Sequence, residues 1–227
     1  AEKARIGDER FRREHECEFL IFDETLIDSI TLADLEGTAP IHTTGQVRWF
    51  AHPKPGHTYM VSLDPSMGTG GDFAAIQIFE LPTFKQVGEW QHNMTPMNKQ
   101  VKILQSITKH IHDTIMEKDS TATPQIFYSM ENNSIGEAAL MRVMDIGEEN
   151  IMGMFLSEPI RKGHRRKFRR GFNTTAKHKI DACTKFKELV ENGKLEINSK
   201  LLISELKDFV ATGLSYKAKP GQHDDLV

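Results

Sequence analysis

The stretch MVSLDPSMGTGGDFAAI, residues 60–76, constrains the fold more than any other part of the chain. An apolar run ends on Asp64, a glycine-rich turn follows, and Asp72 stands where a second apolar run begins. Short apolar runs bounded by turn residues predict strands covered on both faces. Residues 59–63 make the first strand, 73–80 the second, and 85–91 a third beyond a Pro82-Thr83 turn. Two short connections between three successive strands predict an antiparallel meander. If the first two strands form a hairpin, Asp64 and Asp72 lie at the same end of the sheet.

The remaining chain alternates. Thr95 and Pro96 read as N-cap and first residue of a long helix, with Val101, Leu104, Ile107, Ile111 and Ile115 as its inner stripe. A fourth strand over 125–130 ends at Glu131, and a helix over 135–144 and a strand over 151–156 follow. A second long helix spans 175–190 and stops at Asn192-Gly193. A short strand over 194–197 precedes a helix capped by Asn198 or Ser199 and ending near Phe209. Asp224 and Asp225 read as the opening of a further helix. Strands first, then alternating helices and strands, make a mixed α/β sheet. Residues 1–50 differ: a charge-dense segment and scattered apolar positions suggest either an arm packed on the main domain or the end of a preceding domain with its linker. The main domain is expected over 51–227.

Composition excludes several classes. Hydrophobic residues at 38% and charged residues at 27% suit a chain with a core and not wholesale disorder. A formal charge of -3 means that any nucleic-acid contact must come from clustered cations. Cys17 and Cys183 form no CxxC pair, so neither a zinc knuckle nor a disulfide framework is indicated. No apolar stretch is long enough to span a bilayer. A reducing cytoplasm is the default.

Four segments carry acids at the ends of elements: Asp64, Asp72, Glu131, and the pair Asp224 and Asp225. Carboxylates brought together suit magnesium, a hard cation that takes oxygen ligands, and two such ions can drive phosphodiester hydrolysis. Each acid also has a plain structural reading. Asp64-Pro65 is a common turn, Asp72 can bond turn amides, Asp224 can cap a helix, and Glu131 can be an ordinary surface residue. A phosphate cradle is the other alternative, because SMGTGGD could offer backbone amides to phosphate. Neither GxxxxGK[ST] nor GxGxxG occurs in the chain. An actin-like ATPase would need a second such loop, and none is present.

Taken together, strand-Asp64, the turn to Asp72, strand-Glu131-Asn132-Asn133 and GQHDDLV over 221–227 resemble the C-terminal nuclease domain of large terminase subunits, the DNA-packaging motor proteins of tailed bacteriophages, most closely those of T-even-like myoviruses. The resemblance covers about 59–227. It implies a ribonuclease H-like fold and a magnesium- or manganese-dependent endonuclease holding two ions, with Asp64, Glu131 and Asp225 as catalytic metal ligands, Asp72 as an accessory acid and Asp224 as a further possible ligand. His223 belongs to the motif without a clear role. It also implies an ATPase domain ahead of the nuclease, with residues 1–50 at its end. The implied partners are double-stranded DNA, the portal protein of the prohead, the small terminase subunit and the chain's own ATPase domain, in the host cytoplasm at the portal. The implied task is cutting concatemeric DNA at the end of a headful. Another ribonuclease H-like nuclease, such as a Holliday-junction resolvase, and a non-catalytic DNA- or portal-binding module are the alternatives.

RKGHRRKFRRGF concentrates Arg161, Lys162, Arg165, Arg166, Lys167, Arg169 and Arg170 in an otherwise slightly acidic chain. Phosphate contacts there would be salt-sensitive and indifferent to sequence. A solvated loop or a contact with another motor protein is the alternative. Lys177, Lys179, Lys185 and Lys187 are expected on a solvated helix face.

Overall fold

A computed structural model describes residues 24–158, 170–213 and 215–227. In chain order the elements are α1 (Ser29–Asp34), β1 (His42–Thr44), β2 (Val47–Trp49), β3 (Thr58–Asp64), β4 (Ala74–Leu81), β5 (Lys85–His92), α2 (Met97–Lys118), β6 (Gln125–Met130), α3 (Ser134–Ile146), β7 (Met154–Phe155), α4 (Ala176–Glu191), α5 (Lys200–Asp208), β8 (Phe209–Thr212) and β9 (Ser215–Ala218). A short 3₁₀ turn at Glu148–Asn150 lies between α3 and β7.

The expected meander forms the middle of a seven-stranded sheet with strand order β1-β2-β5-β4-β3-β6-β7. β3, β4 and β5 pair antiparallel, while β6 lies parallel to β3 and β7 parallel to β6. This mixed sheet with helices on both faces is the arrangement that the resemblance implied. The parallel pairing of β3 and β6 requires a crossover, which α2 supplies.

Two apolar cores flank the sheet. Tyr59, Val61 and Leu63 of β3 alternate inward with Ile76 and Ile78 of β4, against Val101, Leu104, Ile107, Ile111 and Ile115 of α2 and Val143 of α3. On the other face Ala75 meets Leu32 of α1, Cys183 and Val190 of α4, Leu202, Ile203 and Leu206 of α5, Phe209 of β8, and Leu226. The start of α2 shows which effect governs. Pro96, and not Thr95, is its N-cap, and it makes no side-chain cap bond. Thr95 instead bonds His92 Nδ1 at 2.7 Å. A missing cap costs about 0.5–2 kcal/mol. Each of the five buried stripe residues contributes roughly 1.5–3 kcal/mol, so packing outweighs the cap.

The expected strand over 194–197 is reduced to a bridge between Glu196 and Lys85. β5 is hydrogen-bonded on one side by β4 and, at Gly88 and Glu89, on the other by β2. Its first residues on that side are left to meet the segment at Glu196. The expected strand over 151–156 keeps its ladder at Met154–Phe155 alone. Asp224 and Asp225 do not open a helix among the described residues. Their segment is a turn, with the Val227 N–H donating to the Asp224 carbonyl at 3.2 Å.

Part of the segment ahead of residue 51 packs on the sheet and its second core. β2 hydrogen-bonds to β5. Leu26, Ile27 and Leu32 are fully buried in the second core. Residues 1–23 lie outside the described residues. Among the described residues no helix is long and apolar enough to cross a membrane.

Candidate metal centre

Strand direction brings the first two acids together. Leu63 faces Met130 in the parallel register, so Asp64 and Glu131 leave the same edge of the sheet side by side. The Glu131 N–H donates to the Leu63 carbonyl at 3.1 Å. Asp64, when it carries its proton, donates to the Glu131 carboxylate. Asn133 caps α3, accepting from the N–H groups of Ile135 and Gly136, and its side-chain amide donates to Glu131 Oε2 at 2.6 Å.

The C-terminal turn supplies the third acid. The Phe73 N–H donates to the Asp225 carboxylate. Asp225 Oδ2 is buried without a hydrogen-bond partner, and His223 Nδ1 lies 3.3 Å from it, unaligned for a bond. Asp72 is exposed on the turn ahead of β4 and adds its charge to the field at Asp225. Asp224 is partly engaged elsewhere: its Oδ2 accepts from the Ala218 N–H at 3.2 Å and stands 4.0 Å from Lys179 Nζ.

Crowding sets the electrostatics. Asp64 is open to the cleft, yet protein hems in its carboxyl group. Burial first, then Glu131, then Asp225 and Asp224 push its pKa up to about 8. Burial also raises Asp225; His223 opposes the rise, and Asp224 and Asp72 add to it. No cation stands among the neighbours that shift Asp64, which is the usual condition of a functional acid set. The donors are all carboxylate oxygens, matching a hard divalent cation. Among the described residues, no three His, Cys, Asp or Glu side chains are already gathered into one coordination sphere.

Two glycines fix the backbone around these acids. A Cβ on Gly136 would lie 1.9 Å from the Glu131 carbonyl oxygen, so only glycine lets α3 close on that residue. Gly68 has φ +67°, and a Cβ there would lie 2.1 Å from the Thr95 carbonyl oxygen. Buried Gln100 of α2 clamps the turn after Asp64, donating to the carbonyls of Ser66 at 2.8 Å and Thr95 at 2.7 Å.

The acids open onto a cleft of about 1570 Å³, well above the roughly 300–1,000 Å³ typical of small-molecule pockets. Its lining also includes His178, Lys179 and Lys185 of α4 and Phe172. Lys179 and Lys185 therefore line the cleft and are more than a solvated helix face. Lys187 instead pairs with Glu191 at 3.0 Å. Of the basic segment, Arg161, Lys162, Arg165, Arg166, Lys167 and Arg169 lie outside the described residues. Arg170 pairs with Glu148 and lies 6.0 Å from the Phe155 ring centroid. The segment's ends are tied down beside Glu131. The Glu158 N–H donates to the Gly171 carbonyl, and Phe172 bridges to Glu131.

Sequence reasoning missed Gln100 and Glu205. Glu205 of α5 is a further acid near the site, its pKa pushed up to about 7 by burial, against the bonds it accepts from Leu226 and Gln91. Neither residue carries a sequence signal, because each acts on chain far away in sequence.

A mixed sheet of this order, with carboxylates from separate segments at one strand edge, defines a ribonuclease H-like domain with a candidate metal centre. Residues 61–227 match the family described as Terminase RNaseH-like domain, and the chain belongs to it. Solved structures agree in fold. The large terminase nuclease of thermophilic phage G20c, with bound magnesium, is 16% identical over 90% of this chain and 92% of that one, at a TM-score of 0.63. The large terminase nuclease domain of Thermus phage P74-26 is 17% identical over 86% and 87%, at 0.56. The human cytomegalovirus terminase nuclease domain, manganese-soaked and inhibitor-bound, is 12% identical over 88% and 90%, at 0.52.

Proposed function

We propose that this domain is a metal-dependent endonuclease that cuts concatemeric double-stranded viral DNA, with little sequence preference, to end a round of phage genome packaging. One observation carries the reading: burial, then the crowding carboxylates of Glu131 and Asp225 from two distant segments, push up the pKa of Asp64 at the end of β3. Asp64, Glu131 and Asp225 would hold two magnesium or manganese ions, with Asp72 in support and Asp224, already engaged by Ala218 and Lys179, at the margin. Bound there, the ions supply an activated water and stabilise the departing 3′ oxygen. Similar terminase nuclease structures carry bound magnesium or cobalt or were soaked in manganese, which supports a divalent requirement.

The chain's own residues do the rest. Asn133 orients Glu131 through its side-chain amide. Gln100 fixes the turn that carries Asp64. Lys179 and Lys185 offer cations to a phosphate backbone lying in the cleft. Arg161, Lys162, Arg165, Arg166, Lys167 and Arg169 would add sequence-independent contacts, while Arg170, paired with Glu148, contributes least. An ATPase domain, the portal and the small terminase subunit are the expected partners, at the prohead in the host cytoplasm.

The test is nicking and linearisation of supercoiled plasmid with magnesium, with manganese and with EDTA, alongside Asp64→Asn. Cutting that needs metal and disappears in the folded variant supports the reading. Undiminished cutting by Asp64→Asn sinks it. In the same assay, replacing Arg165 and Arg166 by alanine should flatten the loss of rate with rising salt. An unchanged salt slope removes the basic segment from the reading.

A further inference from the structure

Little in the acidic motif itself holds Asp225 in place beyond His223, whose Nδ1 stands 3.3 Å from its Oδ2. Its carboxylate receives one main-chain N–H, from Phe73, and leaves Oδ2 without a bond. The firm attachment is one residue further on. The Leu226 side chain is buried in the second core at 3% exposure. Its N–H donates to Glu205 Oε2 at 2.7 Å, and its carbonyl accepts from Gln77 Nε2 at 2.9 Å. Both gripping side chains are themselves held. Gln91 of β5 donates to Glu205 Oε1 at 2.9 Å. Gln86 donates to Gln77 Oε1 at 2.8 Å, and its own Oε1 accepts from the N–H groups of Asn198 and Ser199 at 2.9 and 2.8 Å. Ser199 caps α5, the helix that carries Glu205.

We infer that Glu205 is a positioning residue of the metal centre: with Gln77 it grips the Leu226 main chain from both sides and so sets where the Asp225 carboxylate stands relative to Asp64 and Glu131. The inference rests on the nuclease reading of that centre. The grip reaches from α5 through Leu226 to β4, so the third acid, the only one of the three not at the end of a sheet strand, is registered against the same sheet that carries the other two. A main-chain clamp constrains the residue before it without occupying the coordination sphere. Glu205 thus acts through Leu226 and is not a catalytic residue.

Manganese binding, read by the electron paramagnetic resonance of free Mn²⁺, separates positioning from mere stability. It is measured together with plasmid nicking and thermal melting, on wild type, Glu205→Ala, Glu205→Gln and Gln77→Met. Loss of an outer residue that orients a ligand typically weakens metal affinity by roughly 10–100-fold. Glu205→Ala should fall in that range, with cleavage needing correspondingly more manganese. Glu205→Gln should recover most of the affinity, because its amide oxygen can still accept from Leu226. Gln77→Met should shift affinity in the same direction by less. Wild-type affinity in a folded Glu205→Ala overturns the inference, as does a melting-temperature loss with the manganese midpoint unmoved. If Glu205→Ala does not fold, wild-type affinity in Gln77→Met overturns it. A wild type that neither binds manganese nor cuts removes the nuclease reading and this inference with it. A wild type that binds and cuts beside an unaltered Glu205→Ala removes the inference alone.

Discussion

The hairpin of β3 and β4 ends in acids at both extremities, and the two ends differ completely in company. Opposite Tyr59 lies Glu80, only 1% exposed. It accepts from the Tyr59 hydroxyl at 3.1 Å and from Thr83 Oγ1 at 3.1 Å, with His57 Nδ1 at 3.2 Å and Lys54 Nζ at 3.7 Å. At the other end Asp64 meets Glu131, Asp225 and Asp224, all of its own sign. Glu80 is the more deeply buried, yet it is surrounded by donors and cations. Burial therefore does not mark a functional acid; the sign of its neighbours does. An acid answered by donors holds the fold together, and acids that repel one another await a cation.

The sharpest way to break this contrast is to neutralise each end in turn. Asp64→Asn should reduce metal-dependent cleavage by about 10³-fold or more, since a ligated metal is worth several kcal/mol of transition-state stabilisation. Its melting temperature in EDTA at pH 8 should rise. Glu80→Ala should do the reverse. Leaving the Tyr59 hydroxyl and its companions without their acceptor costs about 1–3 kcal/mol. That is a fall of several degrees, taking roughly 2–4 °C per kcal/mol for a chain of this size, with nicking per folded molecule kept within a few-fold. A Glu80→Ala protein that melts normally but does not cut would erase the distinction.

A smaller effect should come from the backbone beside Glu131. Gly136→Ala puts a methyl against the Glu131 carbonyl, and overpacking of this kind costs about 1–3 kcal/mol. Cleavage should fall more than stability, because the atom displaced belongs to a residue of the acid set. The matching change at Gly193, where a Cβ meets nothing within 4 Å, should leave cleavage as it is. Equal losses of cleavage at the two glycines would argue against any special closeness at Glu131.

The smallest effect is on pH. The folded-state pKa of Asp64 lies above its ordinary value of 3.8, at about 8. The folded protein thus holds a proton that the unfolded chain has released. The contribution of Asp64 to stability without metal is fully present below 3.8 and is lost as pH rises toward 8. Melting temperatures in EDTA should fall across that window and flatten in Asp64→Asn. A slope unaltered by the substitution would assign it to other groups.

Much of this was legible in the residues, and the rest was hidden for physical reasons. β3, β4 and β6 could be read because apolar residues crowd strands covered on both faces, and α2 because its stripe recurs at helical spacing. β1, β8 and β9 could not. His42, Thr43 and Thr44, like Ser215 and Lys217, carry no apolar alternation, and β8, though apolar, follows α5 with no turn residue between them; β1 and β8 each pair with the strand next in sequence. Asp64 and Glu131 announced themselves as acids ending apolar runs. Asp225 was visible as an acid, but its hold was not: Glu205 and Gln77 take the main-chain groups of Leu226, the residue beside it. Glu205 itself, within SELKDF, looks like any solvent-facing helix position.

The parallel pairing of β3 with β6 has one more consequence. Two strands can end at the same edge only if the chain returns across the sheet, here by way of β4, β5 and α2. Asp225 arrives only after every other described element has been laid down. No short peptide from this sequence, and no proteolytic fragment lacking either end of the domain, can contain a miniature of the centre. Cutting capacity is therefore a property of completed assembly: it should appear last during folding and vanish first on partial unfolding.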